Sequence, residues 1–332
     1  MRARCFPWKQ RAFRFCAVAV VARVSPMTLH FLLNAGSGAG VAGSLDAAIA
    51  ARFADVAYEL HRPGTPAELP ALAKKLAKQA GENDVVIAVG GDGTVNAVAA
   101  AMRHSKAAMG VVPLGTFNYF ARALDISLEP ERALDVVATG VPRVVGVGLV
   151  NDAVFLNNAS LGLYTALIRE READKKRFGR RRIVAMFSAA RVLLRGRRPF
   201  RLNVDVDGSP GAIATPLVFV GNNPVQLKEL GFAEIAERDH LVVVVLKPVS
   251  RWRMLGLVIR AFFGRLARAD ELDAVSVSAL ELSGKRKRVD VVVDGEIVPM
   301  TMPLAFSVDA TALRVVAPAI TATSTAPTEQ AA

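Results

Sequence analysis

The sequence predicts an α/β chain in two parts: a parallel-sheet domain over residues 27–142 and a mainly antiparallel, β-rich domain over residues 143–318. Three observations predict it. Between residues 29 and 120, short apolar runs alternate with helical stretches, the strand–loop–helix pitch of a parallel sheet with helices on its faces. Glycine-bearing loops follow the first, third and fourth of those runs, and ligands of such sheets sit beyond the carboxyl ends of the strands. After about residue 143 the texture changes to Val-rich runs joined by short links, an antiparallel pattern.

Taken in order, strand 29–34 ends in the loop AGSGAG, and a helix is expected over 44–53. Strand 56–60 leads through a turn with Pro63, Gly64 and Pro66 to a helix over 69–80. Strand 84–89 runs into Gly90-Gly91-Asp92-Gly93 and a helix over 94–102; strand 108–113 runs into Gly115-Thr116 and a helix starting near Asn118. In the second part, strands are expected over 143–150, 202–206, 216–220, 241–246, 275–282 and 289–293, with helices over 183–194 and 251–267. Residues 1–26 are expected to be an unstructured basic extension, because Arg23 interrupts their apolar run and the body of the chain starts sensibly at Met27. Residues 319–332 carry no core pattern and are expected to be a disordered tail.

Composition narrows the function classes. Hydrophobic residues make up 52% and charged residues 22% of 332, a globular balance that excludes a disordered or collagen-like chain. No apolar run approaches the ~18 residues of a membrane-spanning helix. The two cysteines, Cys5 and Cys16, fall in the basic extension. A disulfide scaffold and a thiolate zinc site are thereby excluded from the body, and a reducing cytoplasm fits. The four histidines, His30, His61, His104 and His240, are scattered and none sits in an HExxH frame, which excludes a zinc hydrolase of that kind.

The net charge of +12 is concentrated. Residues 1–26 carry six basic side chains and no acid, and residues 169–201 carry thirteen Arg or Lys against three acids. A second stretch, 251–268, interleaves Trp252, Leu255, Ile259, Phe262 and Phe263 with arginines. Either stretch alone reads as a solvated helix face. Two basic, aromatic-bearing amphipathic stretches together point to an anionic membrane surface. Nucleic acid is not expected as a partner, since no binding module for it is present. An oligomer is compatible with the sequence.

The sharpest motif is GGDGTVN, formed by Gly90, Gly91, Asp92, Gly93, Thr94, Val95 and Asn96. Glycines at a strand end let the backbone approach a bulky ligand, and the next helix aims its free N–H groups at phosphate. Asp92 is placed where a carboxylate reaches a phosphate-bound magnesium ion. The plainer reading is a tight turn with Asp92 and Thr94 as helix caps. Asp294-Gly295-Glu296 reads, alone, as a hairpin turn.

Four motifs together resemble the diacylglycerol kinase catalytic-domain family, which includes bacterial lipid kinases and the sphingosine and ceramide kinases. They are Asn34 to Gly40, GGDGTVN, the PLGTFNYFAR element with Thr116, and the late Asp294-Gly295-Glu296. The resemblance runs from Met27 to about Pro318. It implies a Rossmann-like first domain of the phosphofructokinase and NAD kinase type and a C-terminal β-sandwich. It also implies ATP and Mg2+ as cofactors and transfer of the γ-phosphate to a primary hydroxyl of a membrane lipid, of the diacylglycerol or the sphingoid and ceramide type. By that resemblance Asn34, Gly38, the GGDGTVN residues and Thr116 bind nucleotide, and Glu296 and Asp92 are catalytic. The expected location is cytoplasmic, peripheral at the inner face of the membrane.

The sequence departs from the family pattern in three places. Tyr119 stands where many relatives have Asp. The nucleotide-contacting Thr after the second strand is replaced by Leu60 or His61, with Thr65 a few residues on. The Asp-Gly-x-Leu magnesium motif has Glu237-Arg238-Asp239-His240-Leu241 as its nearest match, with Asp239, or Glu237 in its place, as metal ligand. A kinase of a soluble substrate built on the same GGDGT loop, and a homologue that binds nucleotide or lipid without catalysis, are the alternatives.

Overall fold

A computed structural model describes residues 27–34, 42–178, 199–250 and 269–319, together with Arg253 and Gly256. The expected extension 1–26, the helix over 183–194, nearly all of 251–267 and the tail from residue 320 lie outside the described residues.

Four parallel strands build the first half: β1 (Thr28–Leu33), β2 (Ala57–His61), β3 (Val85–Gly90) and β4 (Ala108–Pro113), in the spatial order β2-β1-β3-β4. Every residue of β3 and β4 is buried, as a continuous apolar run must be when helices cover both faces of a parallel sheet. The covering helices are α1 (Ala42–Arg52), α2 (Leu69–Gln79), α3 (Asp92–Met102), the short α4 (Tyr119–Ala123) and α5 (Pro130–Thr139). On α2 the buried residues are Leu69, Ala73 and Leu76, one stripe at helical spacing.

The second half is built from β5 (Val141–Val150), β6 (Ala153–Phe155), β7 (Asn158–Gly162), α6 (Leu163–Phe178), β8 (Phe200–Val206), β9 (Ser209–Thr215) and β10 (Leu217–Gly221). There follow α7 (Pro224–Leu230), β11 (Leu241–Leu246), β12 (Leu272–Val277), β13 (Ala279–Gly284), β14 (Arg288–Val293), β15 (Glu296–Thr301) and β16 (Leu304–Ala317). One sheet of six strands runs β12-β11-β10-β7-β14-β15, all antiparallel pairs. The other strands extend the parallel sheet to ten, in the order β2-β1-β3-β4-β16-β13-β8-β9, with β5 on β16 and β6 on β5. The two sheets face each other across a second core that includes Phe155, Leu161, Val218, Leu280, Val291 and Phe306. This is a β-sandwich beside a parallel α/β layer.

The last strand joins the halves. Leu304 and Phe306 at the start of β16 belong to the sandwich core, while Leu313 and Val315 near its end belong to the core of the parallel half. Its pairing with β5 shifts register between Asp309 and Leu313, a bulge that bends the strand as it passes from one core to the other. The division expected at 142/143 falls inside β5.

Some elements differ from the sequence expectation. The run 275–282 is two strands in two sheets, parted at Ser278, where the Asp207 carboxylate accepts the N–H groups of Ser278 and Ala279 at 3.1 and 2.8 Å. Helices α5, α6 and α7 and strands β6, β7, β9, β15 and β16 are not among the elements that the sequence predicts. For α7 the local signal is plain: the Asn223 side chain caps the N–H groups of Val225 and Gln226 at 3.0 and 3.2 Å, and Pro224 follows at the first position.

Candidate active site

The loop after β3 is shaped by what its glycines lack. A Cβ on Gly90 would stand 2.5 Å from Thr94 Oγ1, so only glycine lets the first turn of α3 fold back onto the strand end. Thr94 is buried, and its hydroxyl accepts the Asn34 Nδ2 hydrogen at 2.9 Å. Asn34, at the end of β1, thereby fixes the start of α3. Gly91 caps α3 without a side-chain acceptor, which leaves N–H groups of the first turn available to an anion.

The loop after β4 crosses this one closely. A Cβ on Gly115 would lie 2.8 Å from Gly91 Cα and 3.3 Å from the Asp92 nitrogen. Asn118 has a left-handed backbone with φ 50° and folds onto Gly115: its Oδ1 accepts the Gly115 N–H at 2.9 Å and its Nδ2 donates to the Gly115 carbonyl at 3.0 Å. The Asp92 carboxylate accepts the N–H groups of Asn118 and Tyr119 at 3.0 and 3.1 Å, one on each oxygen. Asp92 thus caps α4, a different helix from its own, and ties the two loops together. Thr116 and Phe117 are exposed at the tip. One helical turn beyond Asp92, the buried Asn96 Oδ1 has no hydrogen-bond partner. Val95 is packed into the core, so only its backbone can meet a ligand.

The third component comes from the sandwich. Asp294 and Gly295 both have positive φ, 46° and 92°, and join β14 to β15 in a tight two-residue turn, with Val293 paired to Glu296. The Asp294 carboxylate turns inward and accepts three backbone N–H groups, from Leu156, Asn157 and Asn158, at 2.7–2.9 Å. Burial pushes its pKa up, the charge of Asp92 adds to this, and the three N–H groups oppose; the balance leaves it at about 6. With the turn anchored in this way, Glu296 is exposed and reaches back over the first loop. Its Oε1 lies 3.8 Å from where a Cβ on Gly93 would stand.

The structure therefore brings together Asn34, the loop Gly90–Gly93 with Thr94 and Asn96, Thr116 on the adjoining loop, and Glu296, although just over 200 positions separate Glu296 from Gly93. Gly38 lies outside the described residues. Glu237 and Asp239, in the turn before β11, line a cleft of about 370 Å³ between α4 and α7. The apolar wall of that cleft includes Phe120, Leu124, Val145, Leu156 and Leu227. Glu237 Oε2 is 3.9 Å from His240 Nδ1, and Asp239 Oδ2 is 3.8 Å from Arg238 Nε.

Two features of the site were not found from sequence. Tyr119 donates its hydroxyl to Glu229 on α7 at 2.8 Å, Arg122 bonds the same carboxylate at 2.7 Å, and the Tyr119 ring stacks on Phe117 at 5.6 Å. Burial and the bond to Glu229 raise the phenol above its ordinary range, while the bonds from Arg122 and Tyr119 hold Glu229 low against the opposing effect of burial. The residue that replaces an acid thus latches the parallel half to the sandwich. The second feature is a polar seam: Asn223 Nδ2 donates to Asn157 Oδ1 at 3.1 Å and Asn158 Nδ2 to Gln226 Oε1 at 2.9 Å. The partners lie 66 and 68 positions apart in sequence, so no local signal marks them.

Comparison with known proteins assigns a domain to each half. Residues 28–150 match the diacylglycerol kinase catalytic domain, and residues 162–317 match the YegS C-terminal NAD kinase beta sandwich-like domain. A diacylglycerol kinase of Bacillus subtilis (strain 168) is 31% identical over 202 residues, 58% of this chain and 65% of the relative. The uncharacterized protein sll0036 of Synechocystis sp. is 27% identical over 231 residues, 67% of this chain and 52% of the relative. The chain thus spans between about half and two thirds of the length of these curated relatives. The fold is shared with the crystal structure of a diacylglycerol kinase from Bacillus anthracis str. Sterne, with a TM-score of 0.61 at 15% identity over 88% of this chain and 97% of that one. In that order and over most of its length, the chain therefore carries a diacylglycerol kinase catalytic domain on the parallel half and a YegS C-terminal NAD kinase beta sandwich-like domain on the sandwich.

Proposed function

We propose that the protein is an ATP-dependent lipid kinase that transfers the γ-phosphate to a primary hydroxyl of a membrane lipid, of the diacylglycerol or the sphingoid and ceramide type. The observation that carries this reading is the approach of Glu296 to Gly93, which sets a free carboxylate against the glycine loop and the open N-terminus of α3. The backbone of Gly91–Gly93 and the first turn of α3 would hold the phosphates of ATP. Asn34 keeps that turn in place through Thr94, and Thr116 lines the nucleotide from the neighbouring loop.

Magnesium fits the donors present. The Asp92 oxygens each accept one N–H and keep further acceptor capacity, and the unpartnered Asn96 Oδ1 adds another hard oxygen. When bound, magnesium supplies charge neutralisation across the phosphate oxygens. Glu237 and Asp239, at the cleft, are the candidates for a metal in the second half. Glu296 takes the proton of the lipid hydroxyl as that oxygen bonds to the γ-phosphorus and the bond to the β-phosphate oxygen breaks, so that ADP leaves. Asp294 holds the β14–β15 turn that aims Glu296. The apolar cleft between α4 and α7 suits the lipid's hydrocarbon. Among the described residues no helix is long and apolar enough to cross a membrane. The basic stretches would bring the protein to the anionic inner face of the membrane.

One observation favours a second reading, a homologue that binds without catalysis: the position of the missing acid is filled by Tyr119, whose hydroxyl is committed to Glu229. The test is radiolabelled ATP with Mg2+ and anionic vesicles made from total lipid extract. Labelled, organic-extractable product that requires the vesicles supports the kinase. ATP binding with no labelled lipid supports the second reading, and turnover of a soluble acceptor without vesicles contradicts both.

A further inference from the structure

The outer edge of the parallel sheet carries a side-chain cluster that the proposed reaction gives no role. β2 is the edge strand and pairs with β1 in parallel, with His30 opposite Glu59 and Leu32 opposite His61. Residues two apart on a strand share a face, so His61 and Glu59 project to the same side, and the register sets His30 beside them. Three atoms meet there. His30 Nδ1 lies 3.4 Å from His61 Nε2 and 3.4 Å from Glu59 Oε2, and His61 Nε2 lies 3.2 Å from the same carboxylate oxygen. Among the described residues this is the one group of three His, Cys, Asp or Glu side chains placed to share a metal ion.

The size of this triangle is informative. Zinc binds imidazole nitrogen at about 2.0–2.1 Å and carboxylate oxygen at about 2.0–2.2 Å, and tetrahedral coordination at those lengths sets neighbouring donors about 3.3–3.4 Å apart. Octahedral coordination at the same lengths would draw them to about 3.0 Å. The observed edges of 3.2–3.4 Å match the tetrahedral case. The imidazoles are largely buried, with 13% and 20% of their side-chain surface exposed, whereas Glu59 is 58% exposed. The two nitrogens are thus held by the sheet while the third donor leaves a path from solvent. Two imidazoles and one carboxylate suit zinc and disfavour magnesium, which prefers an all-oxygen shell.

We propose that His30 Nδ1, His61 Nε2 and Glu59 Oε2 form a binding site for one tetrahedral transition-metal ion, zinc being the best fit, with water at the fourth position. The site would pin the edge strand β2 to β1, which pairs in turn with β3. The competing account is a plain hydrogen-bonded group, in which each imidazole donates one N–H to Glu59. Lys75 on α2 acts on His61 as a like charge and opposes metal charge from that side.

The test uses the tag-free full chain with Cys5→Ser and Cys16→Ser, so that thiolates do not contribute. It is titrated with Zn2+ against a chromogenic chelator in excess Mg2+ and without nucleotide, and with Co2+ read by visible absorption. One equivalent of Zn2+, intense tetrahedral Co2+ bands and a Tm raised by several degrees with Zn2+ are expected. His30→Ala and the conservative Glu59→Gln should each weaken binding at least 10-fold while the apo circular dichroism spectrum is kept. A chain that takes up no Zn2+, variants that bind as the parent does, or weak octahedral Co2+ bands would overturn the proposal.

Discussion

The two regions that meet at the candidate active site are held in opposite ways. The loops after β3 and β4 are positioned by missing side chains: Gly115 and Gly91 let the two backbones come close, and Gly90 leaves room for the Thr94 side chain. The turn between β14 and β15 is positioned by a side chain that is present, the Asp294 carboxylate with its three N–H donors. The proposed phosphate cradle needs bare backbone, which the glycines leave open. The proposed catalytic carboxylate, Glu296 on a hairpin, needs an anchor, and the buried carboxyl group of Asp294 supplies it two residues away. The first region should therefore fail when atoms are added and the second when the anchor's chemistry is changed.

The largest stability effect is expected from Gly115→Ala. Its Cβ would meet Gly91 Cα at 2.8 Å, a backbone atom that cannot swing aside. A loss of about 1–3 kcal/mol by denaturant unfolding is expected, together with lost ATP binding. Stability unchanged with ATP binding intact would break the account of the glycine loops.

Asp294 gives the next effect, and it depends on pH. Its carboxyl titrates near 6 in the folded chain, above the ordinary 3.8. Between those values the unfolded chain has already lost the proton that the folded chain keeps, so this group's contribution to stability is full below about pH 4 and is lost as pH rises through about 6. Relative to Asp294→Asn, the parent should therefore lose stability across that window, by on the order of 2 kcal/mol in all. Unfolding midpoints of both proteins from pH 4 to 7 measure it; parallel curves would show that the carboxyl is not held as described.

Tyr119→Phe should have the smallest effect. It removes the hydroxyl bond to Glu229 but leaves the ring stacked on Phe117 and the Arg122 pair in place. About 1 kcal/mol or less is expected in unfolding, with turnover within a few-fold of the parent. A large loss of turnover at unchanged stability would give Tyr119 a role in the reaction rather than in joining the halves.

Much of the parallel half was legible because its signals are local. The buried runs of β3 and β4 are continuous and apolar, and their ends are marked by GGDGT and PLGT. What escaped depended on pairing across long separations. β16 changes core along its length, so its apolar pattern changes phase at the bulge after Asp309 and reads as neither a plain strand nor a helix. Strands β12 and β13 look like one run until Asp207 takes the N–H groups at the break. Helix α5 does carry a local signal, Pro130 followed by the buried Ala133, Leu134 and Val137, but spread over only 10 residues. In the site, the Asp-Gly turn announced itself, but the capture of its carboxylate by residues 156–158 did not. The same limit hid His30 and His61, 31 positions apart in sequence and brought together only by the register of two parallel strands.

The central claim is that the glycine loop and Glu296 form one site, with the first binding nucleotide and the second activating the acceptor. The most direct measurement compares the parent with Glu296→Gln in ATP binding and in lipid phosphorylation under the same conditions. Glu296 is exposed and caps nothing, so the account predicts unchanged stability, unchanged ATP affinity and a rate of lipid phosphorylation lower by about 10²–10⁴. Full lipid phosphorylation by the variant would contradict it.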